Sequence, residues 1–391
     1  MANNTTILDL SHLFYRYPSR TALLEEFAPA APWAEKIVPP FWYFIGFLGN
    51  PISAAVWLSQ RMRRNNSSAI YLGALSVSDL VFLVLHLMLV LHVAWGHDVY
   101  NAKISCEIFH FCFYVPQYLS VFLVLAFTAE RYVAVCHPFL KEKLCTVQRA
   151  VIVVFVLLAF SLVLSSAQAY IWTFSAPEDS CNVRPEAAIG GDWSFWSVWT
   201  WVTDIFAFGL VPLAVLVFNV MVLREIFKIS RKDALTRQHS QVNGTGGGRT
   251  NGGNSAASTV TLLSVSTYLI VTQLSATVVS CLNSNFPHGD FVMTDAQIRA
   301  DPNWSSLFTY LEVRKIIEVI CMSHFACYFF IYCITGKHFR KETLRLLTLN
   351  GKLPFLNSLV SRSRRKERYS MVSTNGGPTT DTYATNFSTT M

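Results

Sequence analysis

Charge is scarce in this sequence: Asp, Glu, Lys and Arg make up 14% of the 391 residues, whereas 52% are hydrophobic. With a mean hydropathy of +0.36, that balance excludes an ordinary soluble domain, in which about a quarter of residues are charged, and leaves a membrane protein. Catalytic signatures are also missing. There is no H-E-x-x-H, no G-x-S-x-G and no pair of acids within an apolar stretch, so neither an enzyme nor a cofactor is expected. No internal repeat is visible, which weakens a transporter built from duplicated halves. No basic, apolar signal peptide opens the chain, and the first apolar segment is expected to act as the insertion signal.

What is present is a series of apolar stretches, each near the ~20 residues that cross a bilayer core of about 30 Å. Seven are read, at 38–60, 69–95, 103–136, 147–172, 194–228, 258–285 and 306–335. A lipid-embedded segment must satisfy its own backbone, so each is a helix. The expected fold is an all-α integral membrane protein with a seven-helix bundle over 37–335, after an N-terminal segment over 1–36. Residues 238–257, rich in Gly, Asn and Ser, predict a flexible connection, here bounded at about 231–257. The polar tail after 350 predicts disorder over 350–391.

Basic residues cluster in alternate connections: Arg61, Arg63 and Arg64, then Lys141, Lys143 and Arg149, then Arg224, Lys228, Arg231, Lys232 and Arg237. The opposite connections hold Glu178, Asp179, Glu186, Asp192, Asp290, Asp295 and Asp301. Counting positive charge places the N-terminus outside and the tail in the cytoplasm. The net charge of +7 thus reports orientation in a bilayer, and no nucleic-acid partner is expected. Asn3, Asn4 and Asn303 lie in glycosylation sequons on the outer side, whereas Asn65, Asn66, Asn243 and Asn386 lie in sequons on the other.

Most of the nine cysteines, such as Cys112, Cys321, Cys327 and Cys333, fall inside predicted helices, as small buried hydrophobes do. Cys106 opens the third segment at the outer surface and Cys181 lies in the long second outer loop, where an oxidising compartment favours a disulfide. From Cys106 to Arg131 a helix rises roughly 37 Å at ~1.5 Å per residue. Glu130 and Arg131 therefore sit at the cytoplasmic lip. Two readings fit them: a pair that neutralises itself in one state and is parted in another, or an arginine that snorkels to headgroups.

In order and at family-like intervals, further residues resemble the rhodopsin-like G-protein-coupled receptors: Gly49-Asn50, Leu75 to Asp79, Cys106 with Cys181, Glu130-Arg131-Tyr132, Pro138, Pro212, and Tyr332 followed by Gly336, Phe339 and Arg340. The resemblance implies a short amphipathic eighth helix over 336–349 and a coupling switch of Glu130, Arg131, Tyr132 and Tyr332. It also implies a polar core of Asn50, Asp79, Ser120 and His324, with a sodium ion at Asp79 and Ser120. Against the ion stands a hydrogen-bonded Asp79, held by Ser120, Asn50 or His324, or a protonated one.

The departures are specific. Gln273 and Ser275 replace the sixth-helix Trp and Pro, Tyr328 and Phe329 replace the seventh-helix Asn-Pro, and Val220 replaces a fifth-helix Tyr. Helix bending must then arise otherwise, for example by back-bonding of Ser266 or Ser275. Phe113 stands where amine receptors have an Asp, and Met322 where opsins have their Lys. What remains for a ligand is an aromatic, partly acidic vestibule of Phe113, Tyr114, Gln117, Tyr118, Trp199, Trp201, Asp204, Gln273, Glu312 and Glu318. It suits a cationic or amidated aromatic end. Each residue also has an ordinary reading, such as a Glu318 pair with Arg314 or an Asp204 bond to Thr200.

The ending TGKHFRKE is similar to that of invertebrate neuropeptide receptors of the FMRFamide-like and thyrotropin-releasing-hormone-like kind. The resemblance implies an extracellular peptide ligand and a heterotrimeric G protein facing Arg131. Receptor kinases and arrestin would act on Ser370 and Ser373 in the tail. A chemosensory receptor for small molecules keeps the same fold, and a transporter or channel is the more distant alternative. Topology is the first test: in intact cells an antibody should reach a tag at residue 1 and not one at residue 391, and equal access would refute the seven-span reading.

Overall fold

A computed structural model describes residues 13–17, 20–64, 66–176, 180–242 and 253–348. Asn3, Asn4, Asn65, Asn243, Asn386, Glu178, Asp179, Ser370 and Ser373 lie outside the described residues, as does the tail expected over 350–391.

Two short helices, α1 (Leu13–Arg16) and α2 (Arg20–Phe27), precede the first span, α3 (Ala30–Trp57). After α4 (Gln60–Arg63) come the second span α5 (Ser67–Val93), the third α6 (Ser105–Cys136), the short α7 (Pro138–Leu144) and the fourth span α8 (Val147–Ile171). A two-stranded antiparallel pair follows, β1 (Trp172–Ser175) with β2 (Ser180–Val183), in which Phe174 faces Cys181. These strands are an addition to the all-helical expectation. Helix α9 (Pro185–Ala188) and a single 3₁₀ turn (Gly191–Trp193) lead to the fifth span, made of α10 (Phe195–Asp204), a π-helical turn (Ile205–Leu210) and α11 (Val211–Val242). The sixth is α12 (Gly253–Cys281), and after a second 3₁₀ turn (Leu282–Asn285) and α13 (Asp295–Ala300) the seventh is split into α14 (Pro302–Cys321) and α15 (His324–Thr335).

Five helices are each long and apolar enough to cross a bilayer, and α14 with α15, bent by 41°, form a sixth crossing. The remaining span, α3, has 28 residues, but three internal prolines, Asn50, Glu35 and Lys36 dilute its apolar character. Its charges explain why the sequence reading began it eight residues late. Lys36 pairs with Glu25 at 2.9 Å, and Glu35 with Lys315 of α14 at 3.3 Å. Gly49 keeps α3 close to α15, since a Cβ there would lie 2.9 Å from Phe329 Cβ.

Of the connection expected to be flexible over about 231–257, residues 231–242 and 253–257 are helical and 243–252 lie outside the described residues. Helix α11 continues to Val242 and α12 begins at Gly253, because 231–242 contain neither Gly nor Pro and several good helix formers. The eighth helix is α16 (Lys337–Leu347). Phe339 of α16 packs against Tyr332 at 5.2 Å and Trp57 at 5.2 Å. Among the described residues, 341–348 belong to a second unit, in which Arg345 pairs with Glu342 at 3.0 Å.

The N-terminal segment is folded where it is described. Leu13, Ala28, Ile298, Trp304, Leu307 and Phe308 form one buried apolar cluster that joins α1 and α2 to the 282–301 connection and α14. Hydrogen bonds fix its edges. Leu13 N–H donates to Phe291 O at 2.9 Å, and Arg16 Nη2 to Met293 O at 2.6 Å. Arg299 pairs with Glu26 and lies over the Phe27 ring. Burial, then the Asp295 carboxylate, pushes the Tyr17 hydroxyl above its ordinary value. Trp304 is the largest fully buried side chain, so Trp304→Ala should lower stability by about 3–5 kcal/mol. A fall in unfolding temperature that Trp304→Phe largely restores would bear this out; an unshifted transition would show that the cluster contributes nothing.

Candidate functional site

The third span, α6, carries a functional element at each end. At one end Cys106 and Cys181 are disulfide-bonded with their Cα atoms 5.7 Å apart, which ties β2 to the start of α6. His110 reinforces the tie: its ring stacks on Trp172 at 4.0 Å, and its Nδ1 donates to Cys106 O at 3.0 Å. Thr173 Oγ1 donates to Glu107 at 3.0 Å. Cys106, His110 and Cys181 lie close enough together for a metal, but the bond between the two sulfurs leaves no thiolate pair to hold one.

Toward the same end of α6, where Phe113 and Gln117 form part of its wall, opens a cavity of about 590 Å³. Of the residues expected to form it, Phe113, Gln117, Trp201, Asp204, Gln273 and Glu318 line it. Tyr114, Tyr118, Trp199 and Glu312 do not. Tyr118 is buried behind the wall and stacks on Phe208 at 5.7 Å, with Tyr114 next to it. Trp199 stacks on Phe195 at 5.9 Å. Glu312 accepts the Ala30 N–H at 3.0 Å, so it anchors the start of α3.

The vestibule is mixed in charge, because Glu318 is already engaged. It accepts Arg314 Nε at 2.7 Å and lies 3.7 Å from Lys315, which Glu35 also holds. Glu35, Arg314 and Lys315 all line the cavity. The i,i+4 spacing of Arg314 and Glu318 was the signal for that pair. Three acids against two bases leave one acid in excess, and Asp204 is the acid without a hydrogen bond among the described residues. The Thr200 bond considered for it does not form; Arg314 is the charge that acts on it.

Asp204 sits immediately before the π turn, and the extra residue there re-aims the fifth span. Pro212 has no N–H to give Phe208 O one turn earlier. Thr277 of α12 supplies the missing donor, with Oγ1 to Phe208 O at 2.7 Å.

Below the cavity, Asp79 is fully buried and its Oδ1 accepts Ser120 Oγ at 2.7 Å. Asn50 does not reach it and donates instead to Phe325 O at 2.8 Å. His324 is also turned away, with Nδ1 on Cys321 O at 2.7 Å and Nε2 beside Gln273 at 3.2 Å. Asp79 Oδ2 and Asn50 Oδ1 are buried without a hydrogen-bond partner. Oxygen acceptors of this kind suit a hard cation, so Asp79, Ser120 and Asn50 fit a sodium ion while His324 does not contribute.

At the opposite end of α6, Glu130 and Arg131 make no direct ion pair among the described residues. Ser68 stands between them: Arg131 Nη2 donates to its hydroxyl, which donates to Glu130 Oε1 at 3.2 Å, and Ser67 donates to the same oxygen at 2.6 Å. The serines at the start of α5 are the residues that sequence reasoning missed. Tyr132 packs on Phe218 at 5.4 Å. Tyr332 packs on Trp57 at 5.3 Å, and no hydrogen bond joins it to Glu130 or Arg131 among the described residues. Burial, then Glu130, raises the Cys145 thiol above its ordinary value.

The family model for 7 transmembrane receptors (rhodopsin family) matches residues 52–313. That match stops short of the break between α14 and α15. Among curated relatives, the C-C chemokine receptor type 1 of Macaca fascicularis is 27% identical over 38% of this chain and 43% of its own length. The human growth hormone secretagogue receptor type 1 is 27% identical over 49% of this chain and 53% of its own. The thyrotropin-releasing hormone receptor of Gallus gallus is 31% identical over 33% of this chain and 32% of its own. The chain therefore spans between about a third and a half of these relatives' lengths. All three are vertebrate receptors, so the expected likeness to invertebrate FMRFamide-like receptors widens to the family as a whole.

If the disulfide is what seats the hairpin, Cys106→Ser and Cys181→Ser should reduce surface delivery equally, and the double variant should be no worse than either. Independent, additive losses would separate the two cysteines.

Proposed function

Because the chain belongs to the rhodopsin family of seven-transmembrane receptors, we propose that it transmits the binding of an extracellular ligand to a heterotrimeric G protein. The observation that carries this reading is the placement of two sites on one helix, a cavity at the disulfide end of α6 and the serine-bridged Glu130 and Arg131 at the other. On this reading the disulfide end faces outward from the plasma membrane and Arg131 faces the cytosol. Asn3, Asn4 and Asn303 would then be open to glycosylation. Receptor kinases and arrestin would act on the tail at Ser370 and Ser373.

The ligand is a peptide with one cationic or amidated aromatic end, the chemistry of the FMRFamide-like class. Asp204 receives the cation, since Glu318 is committed to Arg314 and Lys315, while Trp201, Phe113 and Phe82 give the aromatic faces. Binding that favours the open bundle shifts its population. Arg131 then leaves Ser68 and meets the G protein. Sodium at Asp79, Ser120 and Asn50 would compensate the buried carboxylate in the resting bundle.

A second reading, a chemosensory receptor for small molecules, draws on the cavity volume, which lies within the usual range of small-molecule pockets. Amidated Arg-Phe peptides applied to cells that express the receptor separate the two. The peptide reading predicts nucleotide exchange on the G protein, lost in Arg131→Ala with binding intact, and binding weakened by about 1–3 kcal/mol in Asp204→Asn. A response to small odorants alone would transfer the case to the second reading, and exchange unaltered in Arg131→Ala would remove that residue from coupling.

A further inference from the structure

His86 of α5 lines the cavity and takes no part in the ion pairs of its wall. Its Nδ1 lies 2.7 Å from the hydroxyl of Tyr43 on α3. Tyr43 is only 6% exposed, and among the described residues its hydroxyl has no acceptor other than that nitrogen. A buried hydroxyl proton left without an acceptor is costly, so Tyr43 O–H donates and Nδ1 accepts. A ring that accepts at Nδ1 is neutral and carries its proton on Nε2. Nε2 has no hydrogen-bond partner among the described residues, and it is the donor that His86 offers to the cavity it lines.

Aromatic rings frame that donor. The centre of the His86 ring lies 5.4 Å from that of Phe82 and 6.3 Å from that of Phe113, and both phenylalanines line the same cavity. Lys315 stands between Glu35 at 3.3 Å and Glu318 at 3.7 Å, so its charge is already balanced. A neutral N–H beside apolar rings suits a neutral acceptor joined to an aromatic group, as in the carboxamide of an amidated Phe. A free carboxylate suits the site less, because it adds negative charge to a cavity whose acids, Glu35, Asp204 and Glu318, already exceed its bases, Arg314 and Lys315. Asp204 belongs to the fifth span and His86 to the second, so cation and acceptor meet different helices.

We infer that His86, oriented by Tyr43, selects an amidated over a free-acid C-terminus: its Nε2–H donates to the carboxamide oxygen while the terminal aromatic side chain packs on Phe82 and Phe113. The inference rests on the proposed peptide ligand and deepens it, since it gives the cation and the amide of such a peptide separate partners, Asp204 and His86. Tyr43 does not line the cavity. It acts as a positioning residue, because it fixes which nitrogen of His86 bears the proton.

Equilibrium binding of an amidated Arg-Phe peptide, and of the same peptide as the free acid, to the full chain in lipid nanodiscs tests the assignment. The natural receptor should bind the amide about tenfold more tightly than the acid, the effect of one buried hydrogen bond. His86→Phe should weaken the amide about tenfold and erase the preference, whereas His86→Gln, whose side-chain N–H also donates, should retain it. Tyr43→Phe should diminish it. Asp204→Asn should weaken both forms, since both carry the Arg. Equal losses of amide and acid in His86→Phe, or an undiminished preference there, would overturn the role of His86 and leave the peptide reading in place. Binding of neither form to the natural receptor would refute the peptide reading and the amide assignment with it. A measurement without ligand decides the donor itself. In ¹⁵N-histidine NMR spectra the signal lost on His86→Phe should be that of a neutral ring protonated on Nε2, and a ring protonated on Nδ1 would overturn the inference whatever the peptides do.

Discussion

A carbonyl left without a donor inside a bilayer has no water to turn to, and that constraint shapes the seventh span. At its break Ser323 N–H donates to Ile320 O and Phe325 N–H to Met322 O. Regular α-helical bonding would have sent these donors to Val319 O and Cys321 O. Both carbonyls are rescued by side chains: Trp42 Nε1 donates to Val319 O at 2.8 Å, and His324 Nδ1 to Cys321 O at 2.7 Å. The fifth span repeats the solution at Phe208, where Thr277 replaces the donor that Pro212 lacks. A bend without proline is therefore explained by capture of carbonyls, a recognised cause of kinks. Ser266 and Ser275 also back-bond, to Leu262 O and Val271 O at 2.9 and 2.7 Å, and both lie on α12.

The same low dielectric governs the charges. Glu35, Arg314, Lys315 and Glu318 occur inside helices that the cavity crosses, and each finds an opposite charge within 4 Å. Pairing removes them from the ligand's reach and leaves Asp204 as the acid with an open valence. At the other end of α6 the serine hydroxyls of α5 divide Glu130 from Arg131, so parting the two groups costs hydrogen bonds to Ser67 and Ser68 rather than a direct ion pair. Both ends of the molecule thus hold charge through intermediaries that a ligand or a protein partner can replace.

Much of this was legible in the sequence, and the reasons for the rest are physical. Spans with uninterrupted apolar runs, such as 147–171, are visible because length alone marks them. The start of α3 is not, since Glu35 and Lys36 read as solvent-facing until their partners at Lys315 and Glu25 are known. Glu318 carried two readings, a ligand acid and an i,i+4 partner of Arg314, and the pair forms while Glu318 still lines the cavity. Cys106 and Cys181 were legible from compartment and position together. The break at Met322 and Ser323 carries neither Gly nor Pro, so no local signal announces it; it exists because distant Trp42 offers a donor. Ser67 and Ser68 look like ordinary helix-start residues until Glu130 arrives from a span some 60 positions away.

The disulfide end and the break meet at the cavity: the disulfide ties the hairpin to α6, Phe113 and Gln117 of α6 line the cavity, and so does His324 at the start of α15. At the break each polar group must be satisfied in an apolar surround. Trp42→Phe tests this most directly, because it keeps an aromatic side chain while the indole N–H that donates to Val319 O is lost together with the second ring. The account predicts that the variant, purified in lipid, loses about 1–3 kcal/mol of stability, the penalty of a buried unsatisfied carbonyl, and unfolds at a lower temperature. An unfolding temperature equal to that of the natural sequence would contradict it.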